Sequence, residues 1–202
     1  MFALFRFRIR RPLVLNALLV SFLMSQVSYF TWINPEIDEF STYIQFLLFI
    51  IVFWLFFLVP FFHSIVMNFA GVASGILLQG ICLFLLLQIT GTTAAAFLAD
   101  VWSASALQVL TAVLQIGLTR LIVIKNWGFD FVPTSPRANV VIKGTNAILI
   151  GIISFSVVLA AFLSFIFRNN LNGYIMSACI VFILTLSMFI YYSVKKDNED
   201  AS

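Results

Sequence analysis

The sequence predicts an all-α fold, a polytopic integral membrane helical bundle of about six transmembrane helices with both termini cytoplasmic, and three observations carry that prediction. Hydrophobic residues make up 62% of the 202-residue chain and charged residues only 9%, against roughly 45 to 50% and about 25% in an average soluble domain. A water-soluble fold of this size cannot hide so much apolar surface. Apolar stretches long enough to cross a bilayer recur along the whole chain, and the basic residues collect on alternate sides of them. Helices are the only way to build such a chain in lipid, because an open sheet leaves backbone groups unpaired there and the alternation of a membrane barrel is absent.

A hydrocarbon core of about 30 Å takes roughly 20 helical residues at about 1.5 Å each. The first span is expected near 12–33. Arg6, Arg8, Arg10 and Arg11 precede it as they would a signal peptide, but its length of about 22 residues exceeds a signal core of roughly 7 to 15 and no small-x-small cleavage site follows. It reads as a retained helix. Asn34-Pro35 and the acids Glu36, Asp38 and Glu39 break the chain before a second span near 43–62. Pro60, His63 and Ser64 mark the turn into a third, near 65–89. Gly91-Thr92-Thr93 and Asp100 separate it from a fourth, near 104–124. A longer segment, Lys125 to Lys143, holds Pro133 and Pro136 together with Trp127, Phe129 and Phe131, whose rings suit a membrane interface or a docked partner. The fifth span is expected near 144–167 and the sixth near 174–194, parted by Asn169-Asn170 and Gly173. The whole of 1–202 is then a single transmembrane domain.

Orientation follows from the bases. With the amino terminus inside, the inner side holds ten (Arg6, Arg8, Arg10, Arg11, Arg120, Lys125, Arg137, Lys143, Lys195 and Lys196) and the outer side one, Arg168. That asymmetry places both termini in the cytoplasm. No Asn-x-Ser/Thr sequon occurs, in keeping with a bacterial cytoplasmic (inner) membrane. In Phe5-Arg6-Phe7-Arg8-Ile9-Arg10 apolar side chains alternate with arginines, a composition suited to anionic headgroups as well as to a plain positive-inside flank. A net charge of +3 spread in this way orients a membrane protein and predicts no nucleic-acid partner.

Two ridges of small residues stand out. Gly71 and Gly75 form a GxxxG pair on the third span, and Ala17, Ser21, Ser25 and Ser28 recur at three- or four-residue spacing on the first. Lipid supplies no hydrophobic drive between helices, so close approach along such ridges is a main source of association; they serve packing inside the bundle or contact with another subunit. On the fourth span Gln108, Thr111 and Gln115 fall on one helical face. Gln79 and Gln88 on the third span and Thr145 and Asn146 at the start of the fifth are the partners available to them. The set either glues helices by hydrogen bonds worth about a kcal/mol or less each or lines a polar path.

Catalytic chemistry has little to work with. The spans carry almost no titratable groups, and the only histidine, His63, lies 19 helical residues from Cys82, about 28 Å along a continuous helix. Cys82 and Cys179 have neither metal spacing nor the pattern of a disulfide framework. No enzyme, cofactor or metal site is expected. Membrane lipids, other membrane subunits or further copies of the chain are the expected partners.

Arg11-Pro12 opening the first span, and a fifth span running from Lys143-Gly144-Thr145-Asn146 to an outer Phe167-Arg168-Asn169-Asn170, resemble the membrane domain of lipid A phosphoethanolamine transferases. That resemblance covers about 30 residues and implies a lipid-facing scaffold. The family's five spans lead into a large periplasmic domain with a threonine nucleophile and zinc ligands, whereas this chain turns back through a sixth span. Two functions follow from the residues: a non-catalytic subunit or scaffold of a larger membrane assembly, or a small transporter or channel component with an amide-lined path. The second resembles in outline the six-helix substrate-binding subunits of vitamin importers.

Overall fold

The structure, a computed structural model, describes residues 1–7, 11–34, 37, 40–132, 143–167 and 170–201, and of Trp32, Asp200 and Ala201 the backbone alone. Expectations resting on Arg8, Arg10, Glu36, Asp38, Glu39, Pro133, Pro136, Arg137, Arg168 and Asn169 lie outside the described residues.

Among these residues every regular element is helical: α1 (Arg11–Ile33), α2 (Ser41–Leu55), α3 (Phe61–Thr90), α4 (Ala94–Ala99), α5 (Val101–Lys125), α6 (Thr145–Ile166) and α7 (Leu171–Ala201). Five of them, α1, α3, α5, α6 and α7, are long and apolar enough to cross a membrane. Their outer faces carry bulky apolar side chains into the surroundings, with Phe30 70%, Ile89 80% and Phe165 78% exposed. Water would penalise such faces heavily; hydrocarbon does not.

The second expected span, 43–62, is cut short. α2 has 15 residues, about 22 Å of helix, and stops at Leu55. Leu58 takes a left-handed φ of 54°, and Pro60 stands at the N-cap of α3. Proline has no amide hydrogen to offer a preceding turn and pushes the residue before it out of the helical region. The chain therefore reverses here, and His63 falls inside the first turn of α3 rather than in a linker. A second difference lies between the third and fourth expected spans. Gly91 ends α3 at a φ of +65°, the left-handed conformation that glycine adopts freely. Thr93 then caps the short α4 by accepting from the Ala96 amide at 3.3 Å.

α3 is the hub, touching α2, α4, α5, α6 and α7, while α6 and α7 form an extensive antiparallel pair and α1 rests on α2 alone among the described elements. Polar side chains stitch that edge contact. Thr31 and Ser41 share a hydrogen bond of 2.6 Å, and Gln45 donates to Ser28 Oγ at 3.0 Å. The main core runs along α3 through Val66, Met67, Phe69, Ala70 and Ala73 and is closed by Leu149 of α6 and Phe189 of α7.

One end of the bundle gathers the amino-terminal segment, residues 126–132 and the end of α7. Arg6 pairs with Asp130 and donates to the Asn126 carbonyl at 2.8 Å. The Phe129 amide bonds the Leu4 carbonyl at 2.8 Å, and the Asp130 amide reaches Asp197 Oδ1 at 2.6 Å. Phe129 and Phe131 are buried, against the expectation of rings lying on the membrane or meeting a partner: both pack on Phe5. Only Trp127 of the three aromatics stays out, 68% exposed. Met1–Phe7 folds back and fills the space itself, its Phe2 ring meeting Phe53 and Phe57.

Candidate functional site

The glycine pair of α3 lies inside the bundle. The Met1 side chain occupies the space over Gly71, where any added Cβ would collide with it, and Gln115 Nε2 of α5 stands 3.9 Å from where a Cβ on Gly75 would begin. A third glycine, Gly80, went unremarked in the sequence, yet Cys179 Sγ of α7 fills the position its Cβ would take. The ridge on α1 is divided: Ala17 and Ser28 are half-buried toward α2, while Ser21 and Ser25 face outward.

The amides of α5 lie on an exposed flank of that helix, Gln115 with its Nε2 turned toward Gly75 of α3. Leu107 and Thr111 are the residues that α5 buries, and Thr111 spends its hydroxyl on the Leu107 carbonyl at 2.7 Å. Gln108 and Gln115 are exposed, and neither makes a side-chain hydrogen bond with another described residue. Successive residues turn by about 100°, so Ser105, Gln108, Ala112, Gln115 and Thr119 form a small or polar stripe along one flank of α5. Trp102, Val109, Val113 and Ile116, all 60% exposed or more, cover its outer side.

The remaining predicted polar residues are scattered. Gln88 is exposed two residues before the end of α3, and Asn146 is buried at the start of α6, at the opposite end of the bundle. Its neighbour Thr145 donates to the Glu199 carboxylate at 2.8 Å. Gln79, itself exposed, lines an open cavity of about 280 Å³ that α3 shares with α2, α4, α5 and α7. Gln88 and Asn146 lie at opposite ends of the bundle, away from Gln115 in the middle of α5.

Asn68 was missed by the sequence reading. It is fully buried on α3 and donates to the Phe46 carbonyl of α2 at 2.8 Å. A lone amide within an apolar run was the available signal. His63, also buried, is packed edge-on against Phe62 and lies 6.1 Å from the Phe131 ring. Cys82 belongs to a separate cluster with Leu83, Phe97 and Leu107. Among the described residues no three His, Cys, Asp or Glu side chains gather closely enough to hold a metal ion.

These features define a class: a multi-pass α-helical membrane protein. No family model, no curated protein and no solved structure matches the chain.

Proposed function

We propose that the protein is a non-catalytic subunit of a larger membrane assembly, seated in a bacterial inner membrane with six passes and both termini in the cytoplasm. The observation that carries the reading is the exposed amide flank of α5. Gln115 lies midway along a helix of 25 residues, about 37 Å of helix, and its carboxamide, exposed although its Nε2 lies beside Gly75 of α3, is at a depth where hydrocarbon supplies no hydrogen-bond partner. A polar group left without a partner in an apolar medium costs several kcal/mol on the order-of-magnitude scale. Contact with a further helix removes that cost. Outward Ser21 and Ser25 on the edge helix α1 offer a second place of close approach.

Support for the orientation comes from the end of the bundle that holds Arg6, Lys125, Lys143 and Lys195 beside the turn at Pro60. α2, although short, links that end to the opposite one and makes the sixth pass. Extraction into a native nanodisc followed by measurement of particle mass tests the reading. The expected result is a particle heavier than one chain, which Gln108→Leu and Gln115→Leu together reduce to the protomer. A lone protomer in the unaltered protein would overturn it.

A further inference from the structure

Along the flank of α5, Ser105, Gln108, Ala112, Gln115, Thr119 and Ile122 are separated by 3, 4, 3, 4 and 3 positions. That spacing is the a/d seam of a heptad repeat, the line along which one helix meets a single partner helix. Ser105, Ala112 and Thr119 fall at a, and Gln108, Gln115 and Ile122 at d. On the outward side Trp102, Val109 and Ile116, all at e, are exposed. On the other side Thr111, at g, is buried against the bundle. The seam therefore runs along the edge of the face that α5 gives to its own bundle, exposed from Ser105 to Gln115 and half-buried at Thr119 and Ile122.

Depth decides what this edge can accept. The helix is about 37 Å long and the hydrocarbon core about 30 Å thick. Gln108 and Gln115 stand 7 and 14 residues after Val101, about 10 and 21 Å along the axis, so both lie within hydrocarbon when the helix is centred on it. Lipid has no donor or acceptor there. Gln115 Nε2 stands beside Gly75 of α3, but neither carboxamide makes a side-chain hydrogen bond with another described residue.

The charge pattern of the seam is complementary to itself. A carboxamide carries two N–H donors and a carbonyl acceptor, so its partial charges match those of a second carboxamide turned about a two-fold axis. Two copies of one chain enter the membrane in the same orientation, and an axis relating them runs along the membrane normal. Closed two-fold pairs are by far the commonest oligomers. That axis sets α5 parallel to its copy, and in a parallel pair each a position faces a and each d position faces d. Gln108 and Gln115 then each meet their own copy at equal depth. Ser105, Ala112 and Thr119 are small enough to let the backbones approach. A helix from another protein would need amides at the same two heights.

Resting on the reading of this flank as a subunit contact, we propose that its partner is a second copy of the chain. Two protomers pair through their α5 seams, parallel, about a two-fold axis along the membrane normal, with the Gln108 and Gln115 carboxamides bonded to their copies.

Disulfide trapping tests the pairing. In a Cys82→Ala, Cys179→Ala background, Ser105→Cys and Ala112→Cys are compared with Leu110→Cys, Val113→Cys and Gly117→Cys, which lie on other exposed faces of α5, by oxidation with copper phenanthroline in native membranes. Linked dimers are expected at the two seam positions about fivefold faster or more than at the other three. Gln108→Leu with Gln115→Leu lowers the Ala112→Cys rate to that of the controls, and the mass of the unaltered particle in a native nanodisc is that of two chains. An unchanged unfolding temperature shows that each variant is folded, and Gln115→Ala serves in place of a leucine pair that fails this check. Equal rates on all faces, or an Ala112→Cys rate unmoved by loss of the amides, overturns the proposal. A particle in which the seam cysteines link to a different protein also overturns it and leaves the assembly reading standing, whereas a lone protomer overturns both.

Discussion

Asn68 of α3 donates its side-chain amide to the main-chain carbonyl of Phe46 on α2 at 2.8 Å, inside a region where Asn68 has no exposed surface. The contact ties the shortest of the long apolar helices to the hub. α2 buries only Ser41, Ile50 and Phe53, so this bond to α3, with those of Ser41 and Gln45 to α1, helps to fix its rotation. Interhelical bonds of this kind are worth about 0.6 kcal/mol on average in membranes, and up to about 1.7. Asn68→Ala is expected to lower stability by about 1 kcal/mol, read as a drop in the thermal midpoint in detergent. Asn68→Asp, which buries a carboxylate in the same place, is expected to cost several times more and to reduce the folded yield.

Helix existence was legible because apolar runs of more than about 18 residues have few alternatives. α1, α5 and α6 begin and end within about three residues of the expected bounds. The error at α2 arose because Phe56-Phe57-Leu58-Val59 is as apolar as the helix before it, and hydropathy does not register the left-handed turn at Leu58. The amides of α5 could be put on one face by counting, but not on an inward or outward one, since the helix is apolar around most of its circumference. The packing of the amino-terminal segment was not legible for a similar reason. Alternating Phe and Arg suits a lipid headgroup layer as well as it suits a plug, and only the fold shows Phe5 enclosed by Phe129 and Phe131.

The approach of α3 to α7 rests on Gly80 having no side chain, because Cys179 Sγ occupies the place of its missing Cβ. Alanine is favoured over glycine within a helix by about 1 kcal/mol, while overpacking costs about 1 to 3 kcal/mol; the thiol can rotate aside, which puts the cost at the lower end. Gly80→Ala alone is therefore expected to change stability little or to reduce it. In a Cys179→Ala background the same substitution should stabilise, and a double-mutant cycle on the unfolding free energy should show coupling above about 0.5 kcal/mol. Additive effects would mean that the two helices are further apart than this.

The ion pair of Arg6 with Asp130 joins residues 124 positions apart in sequence, but its side chains are 37% and 62% exposed. Pairs as open as this contribute about 0.2 to 1 kcal/mol and are screened by salt. Arg6→Ala should leave the unfolding midpoint within about a degree or two of the unaltered protein. Hydrogen exchange at the Phe129 amide, which bonds the Leu4 carbonyl at 2.8 Å, should speed up several-fold as the folded amino-terminal segment loosens. A large fall in midpoint would show that the segment is integral to the core.

Asp100 caps α5, accepting from the Ser103 amide at 3.0 Å and from its hydroxyl at 2.6 Å. Those two bonds, the hydroxyl first, hold its carboxyl below the usual value. A carboxylate whose pKa is lower in the folded state binds fewer protons there than in the unfolded chain, so its contribution is fully present above the ordinary carboxylate value and fades as pH falls through the lowered one. The first turn of α5 should accordingly fray in acid, below about pH 4, seen as faster hydrogen exchange at the Ser103 and Ala104 amides. Asp100→Asn keeps an acceptor for the Ser103 amide and should remove the pH dependence while retaining most of the cap, whereas Asp100→Ala should fray the turn at every pH by the loss of an N-cap. Identical exchange profiles for Asp100→Asn and the unaltered protein across that range would show that ionisation of this carboxyl is not what holds the turn.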